Sequence, residues 1–300
     1  MRLPKGGLAL TIFVSVTPIV NAQWIEAKSA NYSIFYQSGY ERDVEFTRTW
    51  LNRAEDLLKS KYGVAFAGFH ISFYLYPTPT KSADVGQANL QCCAKSADGI
   101  KTGTISYLAP SAPAWKTSLG LTSLKLPKDE NYHAKVMMSE YITVGHYVVQ
   151  ESRSTSGGWR YYTAPEWFVQ GLQEYDGIFH TTDANRETTR EKLFEWAGSN
   201  SSVFACCSPN LVISNVYNGG AMFMAFLARQ FGEDIHSRLL RDTAPTFDAA
   251  LANQTKPYQL PELFAKFRAW LAHPAVAQRL AGPRPFRLAG FWPARQIDPR

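Results

Sequence analysis

Two stretches constrain this chain more than any others: Val136 to Val149, and Ala164 to Tyr175. The first is mostly apolar, interrupted by Ser139, Glu140, Thr143 and His146. Ser139, Thr143 and His146 recur at helical spacing and so share one stripe of a helix. In the second, Glu174 lies one turn beyond Gln170, again on one helical face. The spacing therefore predicts two helices, each carrying a short polar stripe, and the rest of the chain is organised around that pair.

Three hundred residues, 45% apolar and 14% aromatic, are enough for a substantial buried core. The first 22 residues read as a secretory signal: Arg2 and Lys5 give a positive start, Leu8 to Val20 is an apolar run, and Val20-Asn21-Ala22 is a small-residue cleavage pattern. The run is too short to span a bilayer permanently, and no second one follows, so no integral membrane segment is expected after signal removal. The expected location is secreted or periplasmic. Without Arg2 and Lys5 the formal charge falls from +6 to +4, and the remaining Lys and Arg are scattered among acids. That distribution argues against a nucleic-acid partner. Four cysteines stand as two neighbouring pairs, Cys92-Cys93 and Cys206-Cys207. An even count in an exported chain predicts structural disulfides, with three possible connectivities; bridges between the pairs would staple the two halves together.

Taken in order, Asn31 to Gln37 and Ile71 to Tyr76 read as strands flanking a helix from Glu41 to Lys61. A polar loop with Cys92 and Cys93 leads to a third strand, Thr102 to Leu108. Pro110 and Pro113 place that strand at a sheet edge in this reading. Beyond Tyr132 the periodicity is helical, over 132–149, 164–176, 184–197, 216–231, 233–242 and 259–272. The expected organisation is a signal peptide (1–22), an N-terminal α/β subdomain (23–130), a helical subdomain (131–275) and a Pro-rich tail (276–300). The fold class is α+β: a small α/β layer followed by a mainly helical half.

The Pro165-Glu166-Trp167 start of the second helix and its Gly171-Leu172-Gln173-Glu174-Tyr175 exit, set after the Ser139-Glu140 helix, resemble the gluzincin zinc peptidases, in their bacterial peptidase MA-like group. The resemblance covers most of residues 31–272 and implies a thermolysin-like architecture. In that family a helix carries His-Glu-x-x-His and a second helix supplies a glutamate, three ligands for zinc. Here those positions hold Ser139, Thr143 and Gln170. Hydroxyl and amide oxygens are poor zinc ligands. Their substitution removes most of a binding free energy on the order of 10 kcal/mol. No metal and no other cofactor is expected, although the family uses zinc.

The resemblance also implies roles for the neighbours. Glu140 stands at the general-base position, but without metal its water has no reason to ionise near neutral pH. It reads as vestigial, or as a candidate base. Glu174 stands where the family supports the first histidine from behind, and His146, one turn past Thr143, reads as a core or supporting histidine. Tyr217 precedes the central helix where such peptidases often place an oxyanion-stabilising group, although packing is the default in a chain with fifteen tyrosines. The strand 102–108 resembles the edge along which a substrate peptide is aligned, so an extended peptide or protein is the expected partner. The expectation is a non-catalytic pseudopeptidase. The rival is an active hydrolase using Glu140 in an unorthodox site, with Glu140 and Glu174 as a possible carboxylate pair; a purely structural envelope protein is the third reading.

Overall fold

The structure is a computed structural model. It describes residues 23–64, 66, 68–86, 88–95, 101–117, 129–151, 158–181, 192–193, 195–196, 213 and 215–272. The expected signal, the Pro-rich tail, Cys206, Cys207 and most of the helix read at 184–197 lie outside the described residues.

Five strands form one mixed sheet: β1 (Ile25–Lys28), β2 (Tyr32–Tyr36), β3 (Phe69–Tyr76), β4 (Ala88–Lys95) and β5 (Lys101–Leu108), in the order β1-β2-β3-β5-β4. Strands β2, β3 and β5 run parallel, and β1 and β4 are antiparallel to their neighbours. The parallel step from β2 to β3 is made by helix α1 (Glu41–Tyr62), as a parallel pair requires. Its buried face is Val44, Leu51, Ala54 and Leu58, and it stops at Gly63, whose φ of +60° is the left-handed conformation that suits glycine at a helix end.

Along β3 the burial alternates strictly, so Phe69, Ile71, Phe73 and Leu75 enter the core while Tyr74 and Tyr76 face away. Tyr74 stacks on its register partner Phe35 at 4.7 Å, and Trp24 meets Tyr74 and Tyr76 edge-on, giving the outer face a small aromatic cluster.

A short helix, α2 (Ala114–Thr117), precedes the helical half: α3 (Glu130–Glu151), α4 (Glu166–Phe179), α5 (Asn218–Phe231), α6 (Ile235–Arg241), α7 (Phe247–Gln254) and α8 (Leu260–Ala272). A 3-10 turn, Tyr161–Thr163, leads into α4. One continuous buried cluster joins the sheet to these helices. Helices α4 and α5 cross at Gly171 and Gly220. A Cβ on Gly220 would stand 2.4 Å from the Trp167 carbonyl oxygen, and one on Gly171 would stand 2.5 Å from the Gly220 carbonyl carbon. No other residue fits either place. Among the described residues no helix is long and apolar enough to cross a membrane.

The sheet corrects two expectations. Strand 102–108 is not an edge: β5 is hydrogen-bonded to β3 on one side and to β4 on the other. Pro110 and Pro113 fall after Leu108, so they remove nothing from the ladder. The edge is β4, the segment read as a polar loop, which holds Cys92 and Cys93. Those two sulfurs are in bonding contact with each other. Any link to Cys206 or Cys207 lies outside the described residues.

Candidate functional site

Helix α3 is apolar on most of its surface, so its few polar side chains must find partners or turn back on the helix. Ser139 and Thr143 turn back. The Ser139 hydroxyl donates to the Val136 carbonyl at 3.0 Å, and the Thr143 hydroxyl to the Ser139 carbonyl at 2.9 Å. Both residues are buried. Ser139 faces α4 directly, its Cβ 2.9 Å from where a Cβ on Gly177 would stand. Gln170 is half-buried on α4 and makes no side-chain hydrogen bond among the described residues.

Glu140 is held differently. Gln173, three residues past Gln170, donates its side-chain amide to Glu140 Oε1 at 2.9 Å. Enclosure pushes the Glu140 carboxyl up to about 7; the Gln173 amide and the Lys135 charge resist the rise, while the Glu174 charge adds to it. Glu174 is clamped by the Lys135 ammonium, at 2.7 and 3.0 Å from its two oxygens. The structure thus brings Glu140, Gln173, Glu174 and Lys135 together where α3 meets α4. It places Ser139 at the same helix crossing with its hydroxyl committed elsewhere, and it joins Gln170 to none of them by a hydrogen bond.

Tyr217 is 48% exposed at the start of α5, and its phenol is raised by burial of its inner part and then by the charges of Glu166, Glu174 and Glu140. Tyr217 thus lies within electrostatic reach of the same carboxylates. Tyr107 and Tyr132 also feel Glu140, from β5 and from the first turn of α3. Beside them, His133 is buried, bonded through Nδ1 to the Tyr107 hydroxyl at 2.8 Å, and pushed down to about 4 by burial.

One turn further along α3 lies a second polar cluster. Asp176 on α4 is fully buried and is reached by Lys61 Nζ at 2.6 Å, by the Tyr62 hydroxyl at 2.5 Å and by His146 Nε2 at 3.2 Å. His146 Nδ1 lies 3.2 Å from the Tyr161 hydroxyl. Burial alone would raise Asp176, but Lys61, His146 and His180 outweigh it and hold the carboxyl well below the usual range. Burial pushes His146 down against the pull of Asp176. At neutral pH the cluster is therefore a Lys61–Asp176 ion pair, with neutral His146 donating its Nε2 proton to Asp176. Burial also pushes His236 far down; it lies within reach of the same charges and gives its Nε2 proton to the Met224 carbonyl.

The donor set does not suit zinc. The three positions that the gluzincin resemblance implies as ligands, Ser139, Thr143 and Gln170, offer two hydroxyls already bonded to their own helix and an amide, with no imidazole or thiolate among them. Among the described residues no group of three or more His, Cys, Asp or Glu side chains is placed to hold a metal ion.

No family model matches the sequence, and no curated protein matches it. Among solved structures, a two-domain M1 zinc metallopeptidase, crystallised as a point mutant bound to L-arginine, overlaps 86% of this chain at 12% identity with a TM-score of 0.37. This chain covers 50% of that one, so it spans half the length of its neighbour. The fold class is α+β. An overlap that loose decides nothing about chemistry, so the site speaks for itself.

Proposed function

We propose that this is an exported, metallopeptidase-like protein that holds an extended peptide or protein segment without cutting it. The single observation that carries the reading is the state of the helix pair. Hydroxyls stand at the two positions where the family has histidines, both bonded to their own backbone, and the acid beside them is tied to the Gln173 amide. A peptidase of this kind needs a metal to acidify its water and an ionised base to take the proton. Here the positions offer no imidazole to a metal, and Glu140, pushed up to about 7, is only about half ionised at neutral pH. The outer edge of β4, which carries no further strand among the described residues and packs against α3, offers backbone donors and acceptors for strand addition. The resemblance of the Trp167 and Tyr175 segment to the gluzincins supports the scaffold assignment.

One observation favours the rival hydrolase. Glu140, pushed up to about 7, sits near the Lys135–Glu174 ion pair, and an enclosed carboxyl raised toward neutrality is a group that acid–base chemistry uses. Two measurements separate the readings. Metal analysis of protein purified without chelator is expected to find no stoichiometric zinc. A peptide-library digest is expected to show no cleavage that Glu140→Gln abolishes. Cleavage lost in that variant overturns the non-catalytic reading. Export is checked by N-terminal sequencing of the mature protein, expected to begin at Gln23.

A further inference from the structure

Cys92 and Cys93 sit on β4, the outermost strand of the sheet among the described residues, and both are half-buried. The ladder to β5 steps at this point. Cys92 stands opposite Gly103 and Ala94 opposite Thr102, which leaves Cys93 as the extra residue of a bulge. The Cys92 sulfur lies over Gly103, 3.6 Å from where a Cβ on that glycine would be, an ordinary contact distance.

The two sulfurs are in bonding contact. A bond between chain neighbours closes almost no loop, so it restricts the unfolded chain far less than a bridge between distant segments does. It is a poor staple. Exposed bridges that hold little are the ones that exchange. We infer that Cys92 and Cys93 form a reversible thiol–disulfide site, exchanging with an external dithiol, or with two molecules of a monothiol such as glutathione, and so setting the conformation of the β4 edge.

The chemistry closes on itself. A thiolate of a dithiol reductant attacks one sulfur of the Cys92–Cys93 bond, forming a mixed disulfide and releasing the other cysteine as a thiolate. The reductant's second thiolate then displaces the first cysteine. The reductant leaves as a disulfide, two electrons pass to the pair, and two protons complete the two thiols. Reoxidation is the reverse, with a disulfide of the same class as oxidant. In the oxidised form the bond fixes Cys93 beside Cys92 at the bulge; in the reduced form that tie is gone. The site concerns the strand itself and stands whether or not a peptide binds there.

The full chain is purified without reductant, its cysteines are mapped by mass spectrometry, and it is then titrated in reduced and oxidised glutathione with alkylation of free thiols. Amide exchange is followed in both forms. The expected map joins Cys92 to Cys93 within one peptide, and millimolar reduced glutathione opens that bond without unfolding the chain. On reduction, amides of residues 88–95 are expected to exchange about tenfold faster while those of α3 and α4 keep their rates. Cys93→Ser is expected to show the faster rates with or without reductant. A bridge from Cys92 or Cys93 to Cys206 or Cys207 overturns the inference. So does a pair that glutathione leaves closed, or a reduction that melts the whole fold.

Discussion

The α3–α4 crossing contains two polar regions built on opposite principles. At the Asp176 cluster every charge is buried and answered: Lys61, Tyr62 and His146 converge on one carboxylate with almost no access to water. At the Glu140 end the polar groups are individually quieted, two hydroxyls by their own helix and one carboxyl by an amide and by enclosure. The first region organises three helices around a charge. The second joins its helices by single pairs, Gln173 to Glu140 and Lys135 to Glu174, and leaves its hydroxyls on their own helix. The helix pair is therefore expected to keep its shape through the first region and to tolerate change in the second.

The sharpest way to break this contrast is Asp176→Ala. It strands the Lys61 ammonium with 10% of its side chain exposed, and such a change costs about 3–5 kcal/mol. Urea unfolding measures it; a loss under about 1 kcal/mol would mean that the cluster is not holding the helices. Gly220→Ala tests the neighbouring crossing. It must push α5 away from the Trp167 carbonyl, with an expected loss of about 1–3 kcal/mol by the same assay.

The buried acid Glu140 and the buried histidines should also respond to pH in opposite directions. Glu140 rises from 4.5 to about 7 on folding, so the folded chain holds a proton that the unfolded chain has already released. Its contribution therefore falls as pH climbs from 4.5 through about 7. Glu140→Gln should remove that slope and stabilise the protein at pH 8 by about 1–3 kcal/mol. The buried histidines act the other way. His133, lowered to about 4, and His146 and His236, lowered from 6.5, resist protonation when folded, so their stability is present above 6.5 and drains away as pH falls below it. Unfolding midpoints from pH 4 to 8, for wild type and Glu140→Gln, separate the two trends. The smallest effect is expected from Ser139→Ala and Thr143→Ala, each within about 0.5 kcal/mol of wild type, because a hydroxyl bonded to its own helix adds little. A loss of several times that would show the hydroxyls serving a partner.

Strong periodicity made much of this fold legible. The strands around 31–37, 71–76 and 102–108, helix α1 and the helices carrying Glu140, Trp167, Met222 and Phe267 follow from alternation or helical spacing that tertiary packing had no reason to override. Strand β4 was not legible. Its Ala88–Lys95 sequence alternates only from Ala88 to Cys92 and loses the pattern at the paired cysteines, and β5 offers it a ladder. Strand β1 is four residues long, too short for a periodic signal. Helix α7 had a signal that went unused: Thr246 caps it, its hydroxyl accepting from the Ala249 amide. At the site, the two helices carrying Ser139, Glu140 and Glu174 follow from spacing, and the expectation that they face one another comes from the gluzincin resemblance. Gln173 and Asp176 could not be placed in it, because their partners come from α3 and from α1, more than a hundred residues upstream of Asp176. An aspartate one turn after Leu172 on a largely buried helix was the available clue.

The nearness of Ser139 to Gly177 makes the glycine the spacer of this helix pair. One backbone leans against the other there, and any side chain grown at 177 would meet the Ser139 Cβ at 2.9 Å and the Lys135 carbonyl at 3.3 Å. The distance across which Gln173 reaches Glu140 is therefore set by a residue that touches neither.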